Sequence, residues 1–385
     1  VVVALSVVAI PAQTTAQIST AADPEFPIVV EESSTPWGGA SSGGPMSDWD
    51  LYAGSVYANT SPAWVTLESL GWWTRGNRLP SMLTTSPNGT PRADAGVLGA
   101  PGTQVVFGDS RVDKKLRLGF RTAVGLRLGH WFDSLMDAEI EANYLWLGDD
   151  QHSGDFFLRS EGDPILARPF TDAQTGLPNS QIIAFPNVAI GQIGVETSSD
   201  LNSMGLLFRR SLSCGYWGQV EWMAGYRYMQ LQEELLINET LTSTDPGGSV
   251  PVGTDIDVFE RFATWNEFHG FDLGLQMKTC KWGCTMELLS KVAIGGISRT
   301  VEINGSTYVD PPGGVPSLTS GGLYALPSNI GRHRSSRFAV LPEFGLQIRR
   351  RISHSFILNV GYTAIILDHV VRSGDQLDLL VNQSQ

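Results

Sequence analysis

From Trp64 onward the chain alternates apolar with polar or small residues over stretches of about ten positions. That is the period of a β-strand whose two faces meet different surroundings. In the clearest stretch, Leu116, Leu118, Phe120, Val124, Leu126 and Leu128 share one face, and Arg117, Gly119, Arg121, Ala123, Gly125 and Arg127 share the other. In the next, Met136, Ala138, Ile140, Ala142, Tyr144 and Trp146 alternate with Asp137, Glu139, Glu141 and Asn143. A short turn at Trp131–Asp133 makes a hairpin of the two and lays an arginine row beside an acidic row, a favourable cross-strand arrangement. The pattern recurs at Val220–Tyr228 with Glu221 and Arg227 on the polar face, and at Phe271–Met277 with Asp272, Gln276 and Lys278. It returns at Met286–Ile294 with Glu287 and Lys291, at Phe344–Ile348 with Glu343 and Arg349, and at Phe356–Tyr362. A strand at Trp64–Trp73 and a shorter, less regular one at Met204–Phe208 bring the count to nine.

A soluble sandwich and a membrane barrel both show such alternation, and length separates them. A tilted spanning strand needs about 9–11 residues, whereas soluble strands usually run about 5–6. The apolar faces also end in aromatics: Trp64 and Trp73, Trp131, Tyr144 and Trp146, Tyr226 and Tyr228. This is the composition of a membrane-interface girdle. Connections alternate too, with short turns near 130–134, 213–218, 279–284 and 350–354 and long polar loops at 74–112, 148–200, 232–258 and 299–335. The expectation is therefore an all-β, antiparallel, up-and-down transmembrane barrel with short periplasmic turns and long extracellular loops. Because such barrels have an even number of strands, about ten (8–12) are expected, the closing strand being missing after the last residue and pairing with Trp64–Trp73. A weak strand within 148–200 is the alternative. On this reading the lumen is lined by Arg117, Arg121, Arg127, Asp137, Glu139, Glu141, Glu221, Arg227, Glu287, Lys291, Glu343 and Arg349.

The apolar run at residues 1–10, followed by Thr14-Thr15-Ala16, reads as the hydrophobic region and cleavage zone of a front-truncated signal peptide over 1–16, with a buried N-terminal strand as the alternative. Residues 17–61, rich in Ser, Thr, Pro and Gly, read as a flexible lead-in to a barrel over 62–385. Nowhere is there an apolar stretch of the roughly 18–20 residues a spanning helix needs. The net charge of -13 argues against a nucleic-acid partner. Of the three cysteines, Cys280 and Cys284 flank a tight turn and form a possible disulfide in an exported protein.

No catalytic apparatus, cofactor motif or metal site is expected. The histidines are scattered, Asp149-Asp150 and the Asp255/Asp257 pair sit in loops, and no nucleophile elbow or phosphate loop is present. Glu139 and Glu141 are read as neutralised by Arg117, Arg121 and Arg127 in an interior ladder, since unpaired charges in a narrow lumen are costly.

Several segments resemble an outer-membrane β-barrel porin family known from planctomycete bacteria. They are WVTLESLGWW (64–73), LRLGHWFD (126–133), GQVEWMAGYRYMQLQEEL (218–235), FATWNEFHGFDLGLQ (262–276), KVAIGG (291–296), FAVLPEFGLQI (338–348) and LNVGYTAIILDHVVRSGDQLD (358–378). The resemblance implies an outer-membrane barrel and, past GDQLD, a further strand. Since about eight strands are filled by side chains and 16–18 leave a channel, a narrow porin passing ions or small hydrophilic solutes is expected. The alternatives are a structural or adhesive surface protein, anchored by its barrel and touching partners or its own copies through long loops, and a soluble secreted ligand-binding β-protein.

Overall fold

The computed structural model describes residues 2–11, 62–148, 155–215, 218–281, 283–353 and 356–382. Ten antiparallel strands carry the architecture: β1 (Val2–Pro11), β2 (Ala63–Trp73), β3 (Arg117–Arg127), β4 (Ala138–Leu147), β5 (Ala189–Gly215), β6 (Gly218–Ser243), β7 (Asp255–Lys281), β8 (Cys284–Asp310), β9 (Gly331–Ser353) and β10 (Phe356–Ile365). Their hydrogen-bonded order runs from β6 through β7, β8, β9, β10, β1, β2, β3 and β4 to β5, and β5 pairs back with β6, so the sheet closes on itself. The nine strands read from the alternation are β2 to β10. The seam expected to take a closing strand is occupied by β1, which pairs with β10 from Val2 to Pro11 and with β2 from Val3 to Ser6. The rest of the N-terminal stretch, residues 12–61, lies outside the described residues, as do Asp149 and Asp150.

β2, β3, β4 and β10 have 10 or 11 residues, enough to span a membrane, but β5, β7 and β8 have 27 each. At about 3.3 Å per residue such a strand is roughly 90 Å long, so more than half of it stands outside any bilayer. The loops expected at 148–200, 232–258 and 299–335 are therefore largely strand, and only residues 244–254 join β6 to β7. The alternation never stops there; its two faces exchange roles. In β6 the lower part turns Trp222, Tyr226 and Tyr228 outward and buries Arg227. Above Met229 the outward row becomes Gln230, Gln232 and Glu234, while Leu235 and Ile237 are buried inside. A reading keyed to an apolar outer face loses the strand at that point.

The upper inner face is apolar because a cap packs against it. Leu83–Thr85, Gln104–Phe107, Leu166–Asp172, Pro178–Ala184 and Leu380–Val381 form a small sheet, and Asn77–Leu79 pairs with Ser110–Val112. Leu83, Leu166 and Phe170 of this cap share a core with Ile193, Leu235, Phe262 and Ile303 of the wall. One cluster ties the two layers together. Arg168 donates to Glu239 at 3.1 Å and to Glu260, and its guanidinium lies 4.4 Å from the Tyr324 ring centre, all four side chains being fully buried. Glu260 also accepts the backbone N–H groups of Tyr324 (2.5 Å) and Ala325 (2.8 Å), whereas Glu239 gains only Gln181 (3.0 Å). Burial works against the Arg168 charge, but Glu260 and Glu239 more than reverse it and hold the guanidinium firmly protonated. Burial pushes the Glu239 carboxyl above its ordinary range and Arg168 only partly offsets it. One cation thus serves two buried carboxylates, and Glu260 holds the larger share of hydrogen-bond donors.

Three outcomes follow. Arg168→Met leaves two buried carboxylates without their cation and should cost about 3–5 kcal/mol, seen as protease cleavage of the cap while the belt stays folded. The Glu239 carboxyl has a higher proton affinity folded than unfolded. Its stabilising effect is thus complete in acid below the ordinary value of 4.5 and is lost as pH rises through the folded value. Glu239→Gln should flatten that decline in the cap's thermal midpoint. Finally, a signal peptide over 1–16 requires the mature membrane protein to begin near Gln17; Edman sequencing that instead finds Val2–Pro11 retained would make β1 the native closing strand.

Candidate functional site: the lumen

The lower inner faces of the strands carry the charges that the alternation points inward, and these meet as ion pairs. Nearest the short turns, Arg209 of β5 donates to Glu141 of β4, to Glu221 of β6 at 2.9 Å and to Gln276 of β7. Lys278 also reaches Glu221 (3.0 Å), Gln276 donates to Glu287 (2.8 Å), and Arg349 lies 3.5 Å from Glu287. One level higher, Arg227 bridges Asp272 (2.7 Å) and Glu343 (2.6 Å), and Lys291 bonds Glu343 at 3.1 Å. Arg121 faces Glu68 of β2 at 3.7 Å. Six cations (Arg121, Arg209, Arg227, Lys278, Lys291, Arg349) thus meet six carboxylates (Glu68, Glu141, Glu221, Asp272, Glu287, Glu343), and the ladder is neutral.

Arg117 lies higher, level with Trp72 and past Leu147 in the register. It donates twice to the Gly148 carbonyl (3.1 and 2.9 Å) and once to Ser199 (3.2 Å). The ladder itself is overlain by an apolar stratum in which Trp72, Leu147, Leu201, Met229, Phe268, Ile297 and Leu341 converge from seven strands, all of them buried. The chain after β10 then enters the mouth. Leu367 and Val370 pack on the stratum, and Leu377, Leu379 and Val381 join the cap core. Asn266 clamps Val371 through both backbone groups, accepting from its N–H at 2.7 Å and donating to its carbonyl at 2.8 Å. Arg372 forks onto Glu233 at 2.6 and 2.7 Å. Gly374 comes so close to the Arg78 carbonyl that an added Cβ would sit 2.3 Å from it. HVVRSGDQLD, expected to lead into a further strand, is an inner plug in this structure.

The expected lumen residues fall into three groups. Glu141, Glu221, Arg227, Glu287, Lys291, Glu343, Arg121 and Arg349 join the ladder, whereas Arg117 stands apart from it, level with Trp72 in the apolar stratum. Arg127 stands directly across from Glu139 in the β3–β4 register. Asp137 sits exposed at the turn. The pairings differ from the simple β3–β4 ladder: Arg121 lies opposite Glu68, while Glu141 lies opposite Gly125, so each charge finds its partner on the other neighbouring strand. Arg209, Asp272, Gln276, Lys278 and Glu68 were not singled out from sequence. Arg209 falls one residue past the segment ending at Phe208, and the other four lie in polar rows whose inward direction already marked them.

Outside, Trp73, Trp131, Trp146 and Tyr226 are exposed among apolar neighbours, Tyr144 bonds Asn202 at 3.1 Å, and Tyr228 packs on His269. Trp64 is placed differently. Its indole lies across Gly125 on the inner face, where a Cβ would approach within 2.1 Å, so it is a lumen residue and not part of the girdle. Cys280 and Cys284 are both thiols and point to opposite faces, because Lys281 pairs with Cys284 and Cys280 with Thr285 across the turn. Among the described residues no three His, Cys, Asp or Glu side chains converge as a metal site.

A closed antiparallel ring with a lipid-type apolar exterior and a charged interior defines a β-barrel of the porin class. The chain belongs to the family described as "Putative beta barrel porin-7 (BBP7)", whose pattern matches residues 64–385. No curated protein matches it.

Removing Arg227 leaves Asp272 and Glu343 with Lys291 alone, so Arg227→Met should cost about 3–5 kcal/mol in urea unfolding from detergent. Arg121→Met, whose pair is longer and less buried, should cost under about 1 kcal/mol.

Proposed function

We propose that this is a narrow outer-membrane porin whose lumen is closed at rest and which passes ions or small hydrophilic solutes only when the segment after β10 leaves the mouth. The observation that carries the reading is the apolar stratum with the 366–382 segment clamped above it by Asn266 and the Glu233–Arg372 pair. An ion crossing that layer would lose its hydration with nothing to replace it. Below, the neutral ladder supplies polar contacts with no net preference for either sign of charge. Residence among outer-membrane lipid and driving by gradients alone belong to the same reading; export by a signal ending near Ala16 would remove β1 and leave its seam to another strand. The extracellular wall and its packed cap favour a second one, in which the barrel anchors a surface body that meets partners or further copies of itself.

Planar-bilayer recording of the refolded full chain separates them. Wild type should be silent or show rare small steps. Asn266→Ala combined with Arg372→Gln should open frequent ohmic steps, and Arg121→Glu in that background should move the reversal potential toward cation selectivity. Silence from the folded, unclamped variant would transfer the case to the anchor reading.

A further inference from the structure

β9 differs from its neighbours in how its outward face is bounded. Phe338, Val340, Phe344, Leu346 and Ile348 form an exposed apolar run, Phe338 being 66% exposed. Arg350 stands immediately below this run and Arg334 and Arg332 above it, with Ser336 between. Phe338 to Ile348 spans about 11 residues, the length that crosses a bilayer, so the arginines stand at its two rims. Arg334 lies four residues beyond Phe338, roughly 10 Å higher along a strand tilted about 40°. From there a guanidinium on its flexible stem bends back to the headgroup layer.

The upper rim is richer than the lower. β10 pairs with β9 only from Glu343 onward, so among the described residues β9 above Pro342 is a sheet edge with a neighbour, β8, on one side. Along it Arg332, His333, Arg334 and Arg337 are all exposed. Among the described residues none of the three arginines makes an ion pair within 4.0 Å. Glu302, across from Arg332 in the register, is engaged by Arg261 at 3.2 Å, so in a chain of net charge -13 this edge is locally basic.

We infer that Arg332, Arg334 and Arg337 form a binding surface for the phosphate groups of a phosphorylated lipid of the outer leaflet. Guanidinium forks suit phosphate oxygens, and bringing several together on one edge gives multidentate contact. The lipid source follows from continuity, because Arg332 and Arg334 rise from the same strand face as the lipid-facing run, while Arg337, in the alternate row opposite Ile297, is exposed beside Phe338 at the same edge. A pairing strand from another protein is disfavoured, since charge along an edge opposes strand addition. The inference rests on the outer-membrane location, which membrane fractionation tests separately.

The test uses the refolded full chain in detergent, its heat-modifiable gel shift giving the unfolding midpoint as bis-phosphorylated lipid A is titrated in. Wild type should be stabilised, and the R332Q/R334Q/R337Q variant should need at least about tenfold more lipid for half the effect, while Arg159→Gln behaves as wild type. The three positions are exposed, so the triple variant should keep the wild-type midpoint without lipid. Equal stabilisation of wild type and triple variant would overturn the assignment. So would equal potency of the dephosphorylated glycolipid, of inorganic phosphate at matched phosphate concentration, or of an extended polyglutamate peptide.

Discussion

Hydrocarbon offers no partner to a backbone N–H or C=O group, so strands that cross it must close into a ring. A ring of ten encloses little more than side chains. Every inward-pointing residue of β2 to β10 must therefore either find a polar partner or pack. The neutral ladder from Arg209 to Lys291 and the stratum from Trp72 to Phe268 are the two solutions, stacked one above the other. Which solution occurs at each level is set by the residues of the polar row, and the outer face takes the opposite character.

The same constraint explains why the strands grow past the membrane. Once water replaces lipid outside, the outer row turns polar at Gln230, Ser298 and Ser336, and the inner row is free to become the apolar one. An apolar inner wall needs a cover, and the segments between β2 and β3 and between β4 and β5, with the chain after β10, supply it. The buried Arg168 cluster fixes how that cover sits. Buried ion pairs contribute little net stability compared with an apolar core, but a wrong register would leave Arg168 or two carboxylates unpaired. The plug uses the same device on a smaller scale, with Arg372 and Glu233.

For function, these features turn the question from what fits through the barrel to what moves out of it. The ladder is cross-linked and neutral, and the stratum is apolar. The inner segment, in contrast, is held by a handful of polar contacts at Asn266, Glu233 and Asn77 and by a few apolar side chains. Its far end is further tied to the cap through Leu379 and Val381, whose carbonyls accept from Thr171 and Ala173.

Strand positions, the inward direction of the charges and the short turns were legible in the sequence. Each is written in a local period of two that neighbouring residues enforce on one another. The continuation of β5 to β8 was not, because a reader following an apolar outer face sees the pattern end where it inverts. Trp64 was misread for a related reason: nothing local shows that Gly125 on the next strand leaves room for its indole inside. Partners within the ladder, the clamp on Val371 and the Arg168 cluster join residues that lie more than a hundred positions apart. The sequence by itself determined which face each residue takes. Only the tertiary structure decided whom it meets there, because register and closure are properties of the whole ring and not of any strand in it.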